Sequence, residues 1–432
     1  MASTLLLPPL TDDSIKTFDQ TIWLNLVATL FSKCSYSPEL QQKYMLFFTS
    51  HVLPQLIQFP SCKSNHTHNN SPFSPSRNVQ DGESAVRYSF EPMSVTGGTD
   101  SDPFNQDVSF AFIEKLKKLD LLKGFNTELW EHFTKELYVW DEAEKQKVLG
   151  IESIQGMRSS LMAFDFKTKE FEIIGRVYFN LFRKSHIQEK SPAAILFEAV
   201  RKLEGREDQK AALDKLEKFF DGGRDGGFEG LHNMSKKTPE NIAKVRGLNI
   251  VMIGIDLNEP SKARMKLYAR SYDLDFATFK DIYTLGGQIQ IDDEEFTIFK
   301  QFYAALFDLP ENWDGVTEHI ERLNLRNAGI SWSFELQPGK QVPLVKFYIS
   351  LWNFVSNDAE AAKRITRFFK EQSWEMADGY LAEVEALFGA EEVHKESGRH
   401  SYVSFAYTKG KGVYLTLYYA PKLEAEYLKV VV

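Results

Sequence analysis

Among 432 residues there are only two cysteines, Cys34 and Cys62. That count excludes a disulfide scaffold and a cysteine-rich zinc site, and it suits a reducing compartment. Excess positive charge is missing too. The formal net charge is −9, so the overall field repels polyanions and no nucleic-acid partner is expected. No apolar run reaches the roughly eighteen residues that a membrane-spanning helix needs, so no membrane association is expected. The opening "MASTLLLPPLTDD" lacks both a basic start and a long apolar stretch; no signal peptide is expected, and a cytoplasmic location is.

The common phosphate-binding signatures are absent as well. There is no G-x-x-x-x-G-K-[ST] loop and no G-x-G-x-x-G after a strand. The metal route to a diphosphate needs Asp-Asp-x-x-Asp on a helix, but "IDDEEF" has Phe296 at the fifth place and reads as an acidic helix start. The nine histidines are scattered, with no pair at metal-ligand spacing.

What the chain does have is aromatic residues, 34 Phe and 17 Tyr, enough for a large core and for a pocket lined with π faces. Apolar groups at spacings of three and four predict helices over 13–58, 106–148, 190–243, 276–325 and 358–388. Between them lie alternating segments in pairs: "SSLMAFDFKT" with "EFEIIGRVYFNLF", "GLNIVMIGIDLN" with "ARMKLYARSY", "ISWSFEL" with "PLVKFYISLW", and "SYVSFAYT" with "GVYLTLYYAP". "SAVRYSFEPM" reads as a further strand. Residues 60–84 are rich in Ser, Asn and Pro and read as a mobile loop. Hairpin-linked pairs favour antiparallel pairing, and the helices between them must cover the outside of the sheet. The fold class expected is α+β, one domain over 1–432.

The second strand of three pairs repeats one pattern: Arg176-Val-Tyr178, Lys266-Leu-Tyr268 preceded by Arg264, and Lys346-Phe-Tyr348. In a strand, residues two apart share a face, so each cation points the same way as its tyrosine. On the other face stand Val177 and Phe179, Met265 and Leu267, Phe347 and Ile349, which suit packing under helices. The polar set therefore faces inward, toward the centre of a closed barrel. A lone Lys or Arg on a strand is usually solvated, but three in the same phase make that reading poor. Unpaired buried cations cost several kcal/mol each, and the sequence offers few acidic partners at matched strand positions. A bound polyanion is the expected counter-charge. A diphosphate suits the mixture of Arg forks, Lys point charges and hydroxyl donors.

These motifs, together with "VRYSFEP" (86–92), "TGGTDSDPFN" (96–105), "YTLGG" (283–287) and "YVSFAY" near the C-terminus, resemble the fungal dimethylallyltryptophan synthase family of aromatic prenyltransferases over about residues 15–428. The resemblance implies the ABBA barrel, ten antiparallel strands in repeated αββα units with helices outside. It implies transfer of a dimethylallyl group, or a longer geranyl group, from the diphosphate to a small electron-rich aromatic acceptor without an obligatory metal. A monomer or a homodimer would serve equally. Carried over residue by residue, it assigns diphosphate binding to Arg87, Arg176, Arg264, Lys266, Lys346 and Lys409, with Arg176 where the family has Lys. It assigns shielding of the allylic cation to Tyr178, Tyr268, Tyr348, Tyr402 and Tyr418.

The chain departs from the family at one informative place. Indole-using members carry a Glu in a "PFE-x-S" segment, and here "SPFSPSRN" puts Ser74 in that position. Without that carboxylate an indole loses its base, an effect of roughly 10²–10⁴-fold. A phenol or hydroxylated polyketide activates its own ring, and is the acceptor this reading favours. An indole, tryptophan or cyclic dipeptide is the alternative, and a barrel that only binds a phosphorylated ligand is a third. Glu91, in strand phase with Arg87, is the residual candidate for a base, with a structural ion pair as its plainer explanation.

Overall fold

A computed structural model describes residues 21–422 apart from 57–63, 65, 81–82, 120, 152–153, 155–157, 237, 317–319, 321–322 and 324–328. Ten strands form the centre: β1 (Phe73–Gln80), β2 (Glu83–Phe90), β3 (Ser160–Phe166), β4 (Ile173–Asn180), β5 (Asn249–Asp256), β6 (Met265–Ser271), β7 (Ile330–Leu336), β8 (Leu344–Ile349), β9 (His400–Thr408) and β10 (Gly412–Tyr419). Each pairs antiparallel with its sequence neighbour, and β1 pairs with β10, so the sheet closes on itself. This is the ABBA barrel, with helices intervening between hairpins and packed on the outer face.

Alternation along each strand sorts the side chains. On β6, Met265, Leu267 and Ala269 are at most 1% exposed and join the outer core. That core is strongly aromatic: Phe302 from helix Asp293–Leu306 meets Phe347 of β8 at 5.5 Å and Phe405 of β9 at 4.9 Å. The helix owes its start to the acidic run noted above, Asp292 accepting a hydrogen bond from the Glu295 N–H at 3.0 Å. Carboxylates in a first turn also suit the helix dipole. "IDDEEF" is therefore a helix cap.

The expectation of a mobile loop over 60–84 is corrected within its described residues. Phe73–Gln80 is a full barrel strand, and Glu83 and Ser84 begin the next. The strand reads as a loop because its inward residues, Ser74, Ser76 and Asn78, are polar, as the barrel interior demands. Its outward set contains Pro75 and Arg77 where apolar residues would be expected. Arg77 is buried, and its Nη1 donates to both oxygens of Glu383 at 2.8 and 2.9 Å. Breaking one side of a buried ion pair costs roughly 3–5 kcal/mol, because the partner is left desolvated. Arg77→Met is expected to lower the thermal midpoint by several degrees, and adding Glu383→Leu to restore most of it; equal loss in both variants would show that packing, not charge pairing, sets the cost.

Candidate functional site

The inner face of β6 is a ruler for the site. Arg264 stands just before the strand, then Lys266, Tyr268 and Arg270 follow at every second residue, about 7 Å apart. At the Arg264 end the barrel gathers five cations. Arg176 of β4 is the most tightly held: its Nε donates to Asp256 at 2.8 Å and its Nη2 to Asp165 at 3.1 Å. Arg87 Nε lies 3.0 Å from Asp165, and Arg264 Nε donates to Asp256 at 2.6 Å. Lys266 Nζ meets Glu335 at 2.7 Å. Lys346 Nζ sits 3.6 Å from the centroid of the Tyr414 ring, a cation–π contact.

The expectation that few acids stand at matched positions is thus overturned. Asp165, Asp256 and Glu335 come from β3, β5 and β7, each the first strand of a hairpin whose second strand supplies a cation. The signal was in the sequence: these acids precede Arg176, Lys266 and Lys346 by 11, 10 and 11 residues, an internal repeat parallel to that of the cations. The tally of five cations against three carboxylates still leaves an excess of two positive charges in the barrel. Burial alone would raise the Asp165 carboxyl, but Arg176 and Arg87 outweigh it and hold it below the usual range. Glu335 is held down in the same way by Lys266 and Arg264. Burial, opposed by Glu335 and assisted by Arg176 and Arg264, brings Lys266 down to about 8. Lys346 is depressed well below the ordinary lysine value by burial and by Lys266 and Arg87.

Beyond the cations comes a layer of phenols. Tyr178 and Tyr268 have ring centroids 5.7 Å apart, Tyr268 and Tyr348 6.0 Å, and Tyr348 and Tyr418 5.9 Å. Their far side lines a cavity of about 260 Å³. Small residues make the space: Ser331 lines the cavity, and at Gly254 an added Cβ would lie 2.7 Å from the Tyr178 ring. The cavity wall also holds Ser74, Ser89, Asn180, Met252, Arg158, Arg270, His66 and Tyr402. Burial, and the nearby Arg158 charge, bring His66 down to about 3, so its imidazole is neutral.

The structure therefore brings together Arg87, Arg176, Arg264, Lys266 and Lys346, and sets Tyr178, Tyr268, Tyr348, Tyr402 and Tyr418 around the cavity. It does not bring Lys409 to them. Lys409 lies in the β9–β10 turn, its side chain 87% exposed, and meets Asp292 at 3.3 Å. Glu91 follows β2, is buried, accepts a hydrogen bond from Ser64 Oγ at 2.6 Å and is not part of the cavity wall. Ser74 does reach the cavity, its Oγ donating to the Tyr419 carbonyl at 2.9 Å. Sequence reasoning passed over Tyr414, although its spacing of four from Tyr418 puts both on one strand face, and over Arg158 and His66, which lie outside the strands.

A ten-stranded antiparallel barrel with an interior cation cluster, a tyrosine layer and an aromatic-sized cavity defines the aromatic prenyltransferase class. The Tryptophan dimethylallyltransferase family matches residues 19–383, and the chain belongs to that family. It is an enzyme, a prenyltransferase. It is 27% identical over 410 residues to "Prenyltransferase malE" of Malbranchea aurantiaca, covering 92% of this chain and 87% of that one. It is 25% identical over 419 residues to "7-dimethylallyltryptophan synthase hasE" of Aspergillus fumigatus, covering 91% and 82%. Among solved structures, AnaPT from Neosartorya fischeri superposes with a TM-score of 0.77 at 23% identity, over 94% of this chain and 95% of that one. NotF in complex with brevianamide F and DMSPP superposes with a TM-score of 0.75 at 22% identity, over 94% and 96%. Among the described residues no helix is long and apolar enough to cross a membrane.

The depressed lysines make anion binding pH-dependent. Lys266 is charged below about pH 8 and neutral above it, so at higher pH binding of an anion that needs the cation is coupled to uptake of a proton by Lys266. Calorimetric titration of inorganic diphosphate is expected to show weaker affinity at pH 9 than at pH 7, and proton uptake at pH 8.5 in buffers of differing ionisation enthalpy. Affinity independent of pH across that range would contradict it. Gly254→Ala, by pushing on the Tyr178 ring, is expected to impair turnover while leaving diphosphate affinity near that of the parent chain.

Proposed function

We propose that this enzyme transfers a dimethylallyl group from dimethylallyl diphosphate to the ring of an indole-bearing acceptor, without requiring a metal. The observation that carries the reading is the layered interior, cations on one side of the tyrosines and an aromatic-sized cavity on the other. Arg87, Arg176, Arg264, Lys266 and Lys346 take the diphosphate, whose negative charge offsets their excess over Asp165, Asp256 and Glu335. As the bond from the prenyl carbon to the diphosphate oxygen breaks, the electron pair leaves with diphosphate, and the fixed cations stabilise it there. Protein cations already supply the charge that a metal would otherwise bring.

The allylic cation then lies against Tyr178, Tyr268, Tyr348 and Tyr418, whose ring faces attract it. Burial holds the phenols of Tyr268 and Tyr418 well above the ordinary value, so these two offer no competing phenolate. Exclusion of water matters, since water would capture the cation to give the alcohol. A ring carbon of the acceptor forms the new C–C bond, and loss of its proton restores aromaticity. Glu91 is poorly placed to take that proton.

The relatives named for tryptophan and indole substrates favour an indole acceptor over the hydroxylated polyketide suggested by Ser74. One observation keeps the phenolic reading alive: among the described residues no carboxylate lines the cavity, so an indole N–H has no anionic partner there. A mass-spectrometric assay with dimethylallyl diphosphate and excess EDTA, offering tryptophan, a tryptophan-containing cyclic dipeptide and a tricyclic polyphenol, separates these. A gain of C5H8 on an indole supports the proposal, a gain on the polyphenol alone moves it to the second reading, and dependence on added metal would overturn the metal-free part.

Removing Lys266 alone would leave Glu335 only the longer Arg264 contact, 3.4 Å, and the Gln337 amide, so the informative variant is Lys266→Met with Glu335→Gln. It is expected to keep the fold and lose roughly 10²-fold or more in kcat. Full activity in that double variant would place the leaving group elsewhere. Glu91→Gln is expected to turn over at close to the parent rate; a drop of two orders of magnitude would reinstate Glu91 as the base.

A further inference from the structure

The proton that leaves the acceptor ring needs a taker, and the cavity wall offers little choice. Among the described residues that wall holds no Asp or Glu. Its guanidiniums only donate hydrogen bonds, and a neutral phenol is a poor base. Two imidazoles remain, His66 and His68. His68 lies flat on Trp352, their ring centroids 4.2 Å apart. His66 instead reaches the barrel itself: its Nε2 is 2.9 Å from the Oγ of Ser89, and both residues line the cavity. Its Nδ1 is shut off from solvent, so Nε2 and the Ser89 hydroxyl form the side that a proton in the cavity can reach.

The backbone holds this pair in place. Ser89 of β2 is the cross-strand partner of Ser74 of β1, and Cβ atoms so opposed lie about 5 Å apart. Ser74 turns its own hydroxyl to the Tyr419 carbonyl. The segment that carries His66 is tied down on both sides. The His66 N–H donates to Ser64 Oγ at 3.0 Å, and Ser64 Oγ donates to Glu91 at 2.6 Å. Three residues on, the Asn69 amide donates to the carbonyls of Ala420 and Pro421 at 3.1 and 3.0 Å.

A weak base suffices here. The cation formed when a ring carbon takes the prenyl group is a far stronger acid than an imidazolium. Its proton acceptor must be unprotonated and within reach, and need not be strongly basic. Burial, and the nearby Arg158 charge, outweigh a hydrogen bond to the Ser89 main chain and bring His66 down to about 3. The imidazole is thus ready at any working pH, and once protonated it does not keep the proton into the next turnover.

We propose that Ser89 and His66 take the ring proton as a relay, the Ser89 hydroxyl meeting the ring and the His66 imidazole receiving the charge. The C–H bond breaks and its electron pair returns to the ring. That proton passes to Ser89 Oγ while the Ser89 proton moves to His66 Nε2, and the imidazolium gives it to water as the product leaves. The relay uses the His66 tautomer with its hydrogen on Nδ1. This rests on the prenyl-transfer reading and supplies the base that reading lacks.

The test uses the full-length enzyme and dimethylallyl diphosphate, with tryptophan, a tryptophan-containing cyclic dipeptide and a tricyclic polyphenol, each with an ordinary or a deuterated ring. In the parent enzyme proton loss is fast, and a kinetic isotope effect on kcat close to unity is expected. His66→Ala and Ser89→Ala are each expected to lose roughly 10²-fold in kcat and to show a large normal isotope effect, because proton loss becomes the slow step. Inorganic diphosphate affinity is expected to be unchanged in both. Ser89→Thr, which keeps a hydroxyl, is expected to retain most of the parent rate, and added imidazole to restore part of it in His66→Ala. Should His66→Ala fail to fold, Ser89→Ala, which removes a single oxygen, decides alone. A fall in kcat without a rise in the isotope effect marks a structural role and overturns the proposal, as does a rise confined to His68→Gln. No gain of C5H8 on any acceptor overturns the prenyl-transfer reading and the relay with it, whereas product formation with parent-like isotope effects in both alanine variants overturns the relay alone.

Discussion

The cost of placing charge inside a protein governs this molecule. Five cations project into the barrel, where each would be prohibitive alone. The chain meets that cost in part with its own carboxylates, Asp165, Asp256 and Glu335, and leaves the remainder to a ligand. Complete neutralisation would have produced an inert salt-bridged plug. No neutralisation would have left the lysines unprotonated and the arginines free to swing away from a useful geometry. The partial balance keeps Arg176 and Arg264 fixed while still demanding an anion.

That balance depends on the closed sheet. Because strand residues alternate, the same hairpins that send cations inward send Phe, Leu and Ile outward under the helices. The outer core needs no polar partner, and the inner surface is free to be chemical. Positions that hold small residues, Gly254 and Ser331 among them, decide where the interior is empty. The tyrosines stand between the cation cluster and that cavity.

Much of this was legible in the amino-acid order. The phase of Arg176, Lys266 and Lys346 against their apolar neighbours gives the inward direction, and the repetition gives the barrel. The acids were missed because each stands near the end of a hydrophobic strand, in "FDF", "IDLN" and "FEL", where a single charge looks like a turn signal. Only the register shows Asp256 beside Arg176, 80 residues earlier in the chain. β1 was lost for the opposite reason: a strand whose inner face is serine and asparagine, with a proline outside, has the composition of a linker. Lys409 was placed by matching a distant motif through a turn, and a turn is where a shift of one residue moves a side chain from the interior to solvent. Arg158 had no pattern to betray it, since only the cavity gives it meaning.

The pairing of β1 with β10 has a bearing on how the chain is made. Asn78 and Thr416, 338 residues apart, are neighbours in the finished sheet. A ribosome releases the chain from its N-terminus, so the first strand, already paired with β2, must wait for nearly the whole sequence before it meets β10. Until then the sheet has two open edges and a charged concave face exposed to water, which that face tolerates well. The aromatic outer layer is the side that must be covered early, and the helices that cover it lie between the hairpins in sequence. Assembly can therefore proceed hairpin by hairpin with its greasy side protected, and the dry interior comes into being only at the last step.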